Sequence, residues 1–140
     1  MIATFILSVL VALAVLVHYE ILYRLSLVLP KLQMKHRYRM LVGIFGALTA
    51  HFIEVWVFAF GYYFMLRRGD FGEFIGDFDG SVLDCVYYSF TTYTSLGIGD
   101  IEPLGEVRFV TGVETLTGLV LIAWTASYLY IEMTRFWSTR

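Results

Sequence analysis

The chain has 140 residues, of which 59% are hydrophobic and only 16% charged, with a formal net charge of −2. A mean hydropathy of +0.71 lies well above that of a soluble domain, which argues against a soluble enzyme and for a single membrane domain of a few helices. The lone cysteine, Cys85, excludes an intrachain disulfide and reads as packing.

From the N-terminus, the apolar run 1–17 lacks the basic n-region and small-residue cleavage site of a secretory signal, so it is expected to remain as structure. Three apolar stretches, 2–29, 41–66 and 107–133, are long enough to cross a bilayer. A hydrocarbon core of ~30 Å takes about 20 helical residues. The first two are joined by a short loop carrying Lys31, Lys35, Arg37 and Arg39. Under the positive-inside rule that loop is cytoplasmic, which puts the N-terminus outside and the C-terminus inside, in a plasma (inner) membrane. Arg135 and Arg140, after the third stretch, agree with this orientation.

The segment between the second and third stretches is then external, and it is acidic. Asp70, Glu73, Asp77, Asp79, Asp84, Asp100, Glu102 and Glu106 face only Arg67, Arg68 and Arg108, a rim that would concentrate cations. Its first part, 71–80, is rich in Gly and Asp and reads as an exposed loop. Ser81-Val82-Leu83-Asp84 has the form of a capping box and predicts a helix over 82–93. Such a helix is ~18 Å long and too short to span, so the chain must enter the membrane and return. Re-entrant backbone is tolerated there only if buried in protein or lining a watery cavity.

Directly after this helix stands Thr94-Ser95-Leu96-Gly97-Ile98-Gly99-Asp100, which resembles the T-x-G-x-G-D selectivity filter of the potassium channel pore-domain family. The resemblance covers about 42–133. It implies an all-α membrane protein in which 1–40 is an extra N-terminal transmembrane helix with its basic loop. Residues 41–140 are then the pore domain: outer helix 41–66, pore helix 82–93, filter 94–100 and inner helix 107–134. It further implies a homotetramer, because one filter strand cannot enclose an ion, and K+ as permeant ion, held by carbonyls of Ser95, Leu96, Gly97 and Ile98. Gly97 and Gly99 can take positive φ without a Cβ penalty. Tyr87, Tyr88 and Thr91 occupy filter-support positions, Arg108 opens the inner helix, and Gly118 matches a hinge glycine, with close helix packing as the alternative. Leu119, Ile122, Ala126 and Tyr130 form the implied pore-facing stripe, Tyr130 narrowing the inner mouth. Two departures stand out: Ile98 replaces the usual Tyr, and Ser95 the usual Thr. Both bear on filter rigidity and on how sharply K+ is selected.

Several ionisable residues fall inside the apolar stretches, where charge is costly. Helical depth puts Glu20 and His51 level if their helices are antiparallel neighbours. His18 and Glu20 point to nearly opposite faces, so only one of them can join His51 and Glu54, which share a face. Three readings stay open for His18, Glu20, His51 and Glu54: simple pairing (Glu20 with Arg24, His51 with Glu54), a proton sensor, or a metal site. Glu114, beside the pore-facing stripe, is expected to face the pore helix and brace the filter. Trp56, Trp124 and Trp137 read as packing or interfacial anchors. No helix repeats Arg or Lys at every third position as a voltage sensor does, and no cofactor, nucleic acid or cytoplasmic ligand-binding domain is expected. Gating then belongs to the membrane part, its lipids or an accessory protein. A weakly selective cation channel and a non-conducting membrane subunit are the alternatives. An enzyme lacks its catalytic set, having neither H-E-x-x-H nor G-x-S-x-G.

Overall fold

A computed structural model describes residues 1–137; Arg140 and the side chain of Trp137 lie outside what is described. The chain forms helix α1 (Ile2–Val28), a 3-10 turn at Leu29–Lys31, helix α2 (His36–Arg68), strand β1 (Gly72–Gly76), helix α3 (Val82–Tyr93), strand β2 (Ile101–Gly105) and helix α4 (Val107–Trp137). Helices α1, α2 and α4 are long and apolar enough to cross a membrane, with mean hydropathies of 2.4, 1.8 and 1.5.

Helix α1 is apolar all round, so its face is chosen by packing. It buries Leu7, Leu10, Ala14, His18 and Leu22, a stripe at three- and four-residue spacing against α2. Two glycines of α2 set the register. A Cβ on Gly61 would lie 2.4 Å from Leu10 Cδ1, and one on Gly46 would lie 2.6 Å from Leu25 Cδ2. Bare backbone at these points lets the two antiparallel helices close on each other and brings His18 level with Glu54. The 3-10 turn between them carries Pro30 near its start, where a missing N–H suits a first-turn position.

The chain is mostly helical, not all-α: β1 and β2 pair antiparallel, from Gly72 opposite Gly105 to Gly76 opposite Ile101. The expected exposed loop 71–80 is therefore half strand. Its glycines let two backbones meet, since a Cβ on Gly72 would sit 1.9 Å from the Leu104 carbonyl oxygen and one on Gly76 2.1 Å from that of Asp100. Phe71 and Phe74 anchor the ribbon by burying their rings, Phe74 lying 5.4 Å from the Tyr62 ring and 4.3 Å from that of Tyr88. Pro103 falls on a strand with one unpaired edge, where its missing N–H costs nothing.

Candidate functional site

Helix α3 starts as its cap predicts: the Ser81 hydroxyl accepts from the Asp84 amide at 3.0 Å. The Asp84 carboxylate does not return to Ser81. It accepts from the Asp79 amide at 2.8 Å, while Asp79 accepts from the Ser81 amide at 2.7 Å; hydrogen bonding from Ser81 holds the exposed Asp79 carboxyl below its usual range. Among its buried groups are Cys85, Tyr88, Ser89 and Tyr93.

The chain turns back at Thr94, and the next residues leave α3 with an alternating backbone. Ser95, Gly97 and Gly99 have φ of 61°, 55° and 86°; Ser95 is the one non-glycine among the described residues with positive φ. Two amides point back at α3: Ser95 N–H donates to the Thr92 carbonyl at 3.0 Å and Gly97 N–H to that of Thr91 at 3.0 Å. A trans peptide directs its C=O opposite its N–H, so the carbonyls of Thr94 and Leu96 point away from α3. Residues 94–100 are all exposed in the single chain.

Support for this strand comes from several elements. At its far end Asp100 is held three ways: Tyr87 donates its hydroxyl at 2.7 Å, the Asp77 amide donates to the Asp100 carbonyl at 2.9 Å, and the Ile101 amide donates to the Asp100 carboxylate at 3.1 Å. The neighbouring carboxylate also pushes the exposed Tyr87 phenol above its ordinary range. Tyr88 points elsewhere, its hydroxyl 2.8 Å from that of Thr111 on α4. Thr91 turns its hydroxyl to the Tyr88 carbonyl at 2.9 Å. Glu114 is fully buried and faces α3, accepting from Ser89 at 2.5 Å and from Tyr62 at 2.5 Å. Its partners belong to α3 and α2, so it fastens these two helices, and neither bond reaches residues 94–100. The ribbon is the support that the sequence reading missed. Its signal was the glycine pair at 72 and 76 matched by Gly105.

On α4, Gly118 meets the end of α3. A Cβ there would be 2.1 Å from the Tyr93 carbonyl oxygen, so close packing alone requires glycine at this position. Leu119, Ile122, Ala126 and Tyr130 are all uncovered in the single chain.

The intramembrane ionisable residues sort cleanly. Glu20 accepts from Arg24 at 2.5 Å on the exposed side of α1, so it takes no part in a cluster with His51. His18 does, being on the buried stripe: its Nδ1 is 2.9 Å from Glu54 Oε1. His51 Nδ1 is 3.1 Å from Glu54 Oε2 and 2.9 Å from the Tyr93 hydroxyl, which itself donates to Glu54.

Residues 50–135 match the profile of a family described as ion channel. The match covers more than half of the chain, and the chain belongs to that family of ion channels. It is therefore a multi-pass membrane protein and not an enzyme. No curated protein and no solved structure matches it.

Proposed function

We propose that four copies of this chain assemble around residues 94–100 into a potassium-selective channel that conducts K+ passively through rings of backbone carbonyls. The observation that carries this reading is the alternation of positive φ at Ser95, Gly97 and Gly99 immediately after a non-spanning helix. An extended strand sends successive carbonyls to opposite sides, whereas alternate left-handed residues bring them to one side. Four such sides facing one axis replace the hydration shell of a dehydrated cation. The C-terminal end of α3, with its partial negative charge, favours a cation beneath the filter.

The basic loop after α1 is assigned to the cytoplasm and the acidic ribbon to the outside, in a plasma (inner) membrane, with the N-terminus outside and the C-terminus cytoplasmic. Ile98 carries no hydroxyl where the resembled filter has Tyr, and this favours a second reading, a weakly selective cation channel. One measurement separates the two. Purified protein in planar bilayers under opposing K+ and Na+ gradients reverses near the K+ equilibrium potential if the filter selects K+, and near zero if it does not. Gly97→Ala, which adds a Cβ at φ 55°, is expected to abolish the current; wild-type current from that variant would sink the assignment of the filter.

A further inference from the structure

The buried cluster of His18, His51 and Glu54 is the one group of metal-capable side chains among the described residues whose donor atoms converge, all within 4.8 Å of one another. His18 and Glu54 are wholly buried and the His51 side chain is 17% exposed. Four elements meet here: α1 brings His18, α2 brings His51 and Glu54, α3 ends at Tyr93, and α4 brings Thr125. The Trp124 ring, 5.1 Å from that of His18, covers one side.

The hydrogen bonds of the cluster leave both ring orientations fixed. Both imidazoles turn Nδ1 toward Glu54 and Nε2 toward a single hydroxyl, Thr125 Oγ1, at 2.9 Å from His51 and 3.4 Å from His18. One hydroxyl has one proton and two lone pairs. If both rings carry their proton on Nδ1, Thr125 can donate to only one Nε2 and the other is stranded. If both carry it on Nε2, Thr125 accepts from both rings, and two Nδ1 lone pairs then face the carboxylate, the state in which a cation binds all three. The mixed tautomer, with His18 protonated on Nδ1, His51 on Nε2 and Tyr93 donating to His51, also pairs every group, so the metal reading rests on the convergence of the donor atoms. Ligand atoms around a tetrahedral ion with bonds of ~2.0–2.1 Å lie about 3.3–3.4 Å apart. The Nδ1-to-carboxylate separations of 2.9 and 3.1 Å are within a few tenths of an ångström of that edge. Two Nε2–H groups anchored on one acceptor is the outer-shell arrangement that orients ligating histidines.

We infer that His18, His51 and Glu54 form an intramembrane site for one zinc-class divalent cation, with the Tyr93 hydroxyl at the fourth position, fastening the N-terminal helix to the end of the pore helix. Nitrogen and carboxylate donors suit zinc, and the ion offsets a carboxylate that is otherwise costly at membrane depth.

The test reads metal and not current, so its outcome is independent of whether the filter selects K+. Full-length protein in detergent is loaded with Zn2+, dialysed and analysed for bound metal. Wild type and Glu20→Gln are expected to retain about one ion per chain, as a single site requires, and His18→Gln and Glu54→Gln to lose it. Equal retention by all four, or none by wild type, overturns the proposal; the second result leaves the cluster holding a proton instead. Should the two cluster variants fail to fold, Co2+ in the wild-type protein decides. Intense visible bands of a tetrahedral complex with imidazole ligands support the site, and only the weak bands of an octahedral ion overturn it.

Discussion

Tyr87 and Tyr88 are neighbours in sequence with the same side chain, yet one donates to Asp100 at the strand's outer end and the other turns back to Thr111. If Asp100 is the outer anchor of a filter, Tyr87→Phe removes the side-chain donor that reaches it. Current is expected to decline faster during sustained activation in Tyr87→Phe, while Asp100→Asn, which keeps an acceptor oxygen for Tyr87, retains most of the wild-type time course. Gly118 gives a second expectation. An alanine Cβ at 2.1 Å from a backbone oxygen forces α4 away from the end of α3, and overpacking of this kind costs about 1–3 kcal/mol. Thermal unfolding of Gly118→Ala in detergent should show a lowered midpoint. An unchanged midpoint would mean that the contact is relieved without cost. Individual roles were legible in the sequence only where spacing fixes direction, as for Glu20 with Arg24 and Ser81 with Asp84. His18 was not decidable against Glu20, because α1 is apolar on every side and its buried stripe is chosen by Gly46 and Gly61 on another helix.

Among the elements, the spanning helices and α3 could be read from length, apolarity and the cap, because these are local properties. The ribbon could not. Its strands are five residues each and lie 25 positions apart at their nearest ends, and three of the residues pairing in it are glycines with positive φ, a composition that locally spells loop. What makes it a ribbon is distant: α3 and the strand after it return the chain to β1. This places the Asp77 amide on the Asp100 carbonyl and ties the outer end of residues 94–100 to the segment leaving α2. Gly76→Ala tests the tie. Its Cβ would approach the Asp100 carbonyl oxygen to 2.1 Å at a φ of 101°, a left-handed position costing about 1–2 kcal/mol for a residue with a side chain. The Asp77 amide is expected to exchange with deuterium faster in that variant. Ile75→Ala, an exposed position on the same strand, should leave it protected, and equal protection in both would detach the ribbon from any supporting role.

For the whole molecule, the single chain leaves uncovered what a pore needs covered. Leu96 and Ile98 are 66% and 56% exposed, and Tyr130 is 63% exposed. In the proposed assembly, surface of this kind around residues 94–100 is buried by another copy of the chain. The proposed orientation rests on charge: Lys31, Lys35, Arg37 and Arg39 stand in and just after the α1–α2 connection, while the ribbon carries Glu73 and Glu102, and the positive-inside rule assigns such a basic segment to the cytoplasm. The native thiol helps to test this, because Cys85 is buried and gives little background to a membrane-impermeant maleimide. Glu73→Cys on the exposed face of β1 is expected to label in intact cells, and Gln33→Cys in the basic loop only after the membrane is broken. The reverse pattern would turn the acidic rim, and with it the outer end of the proposed filter, toward the cytoplasm. The electrostatic argument would then have to run the other way: the rim would concentrate cations on the cytoplasmic side and bias loading of the pore from within.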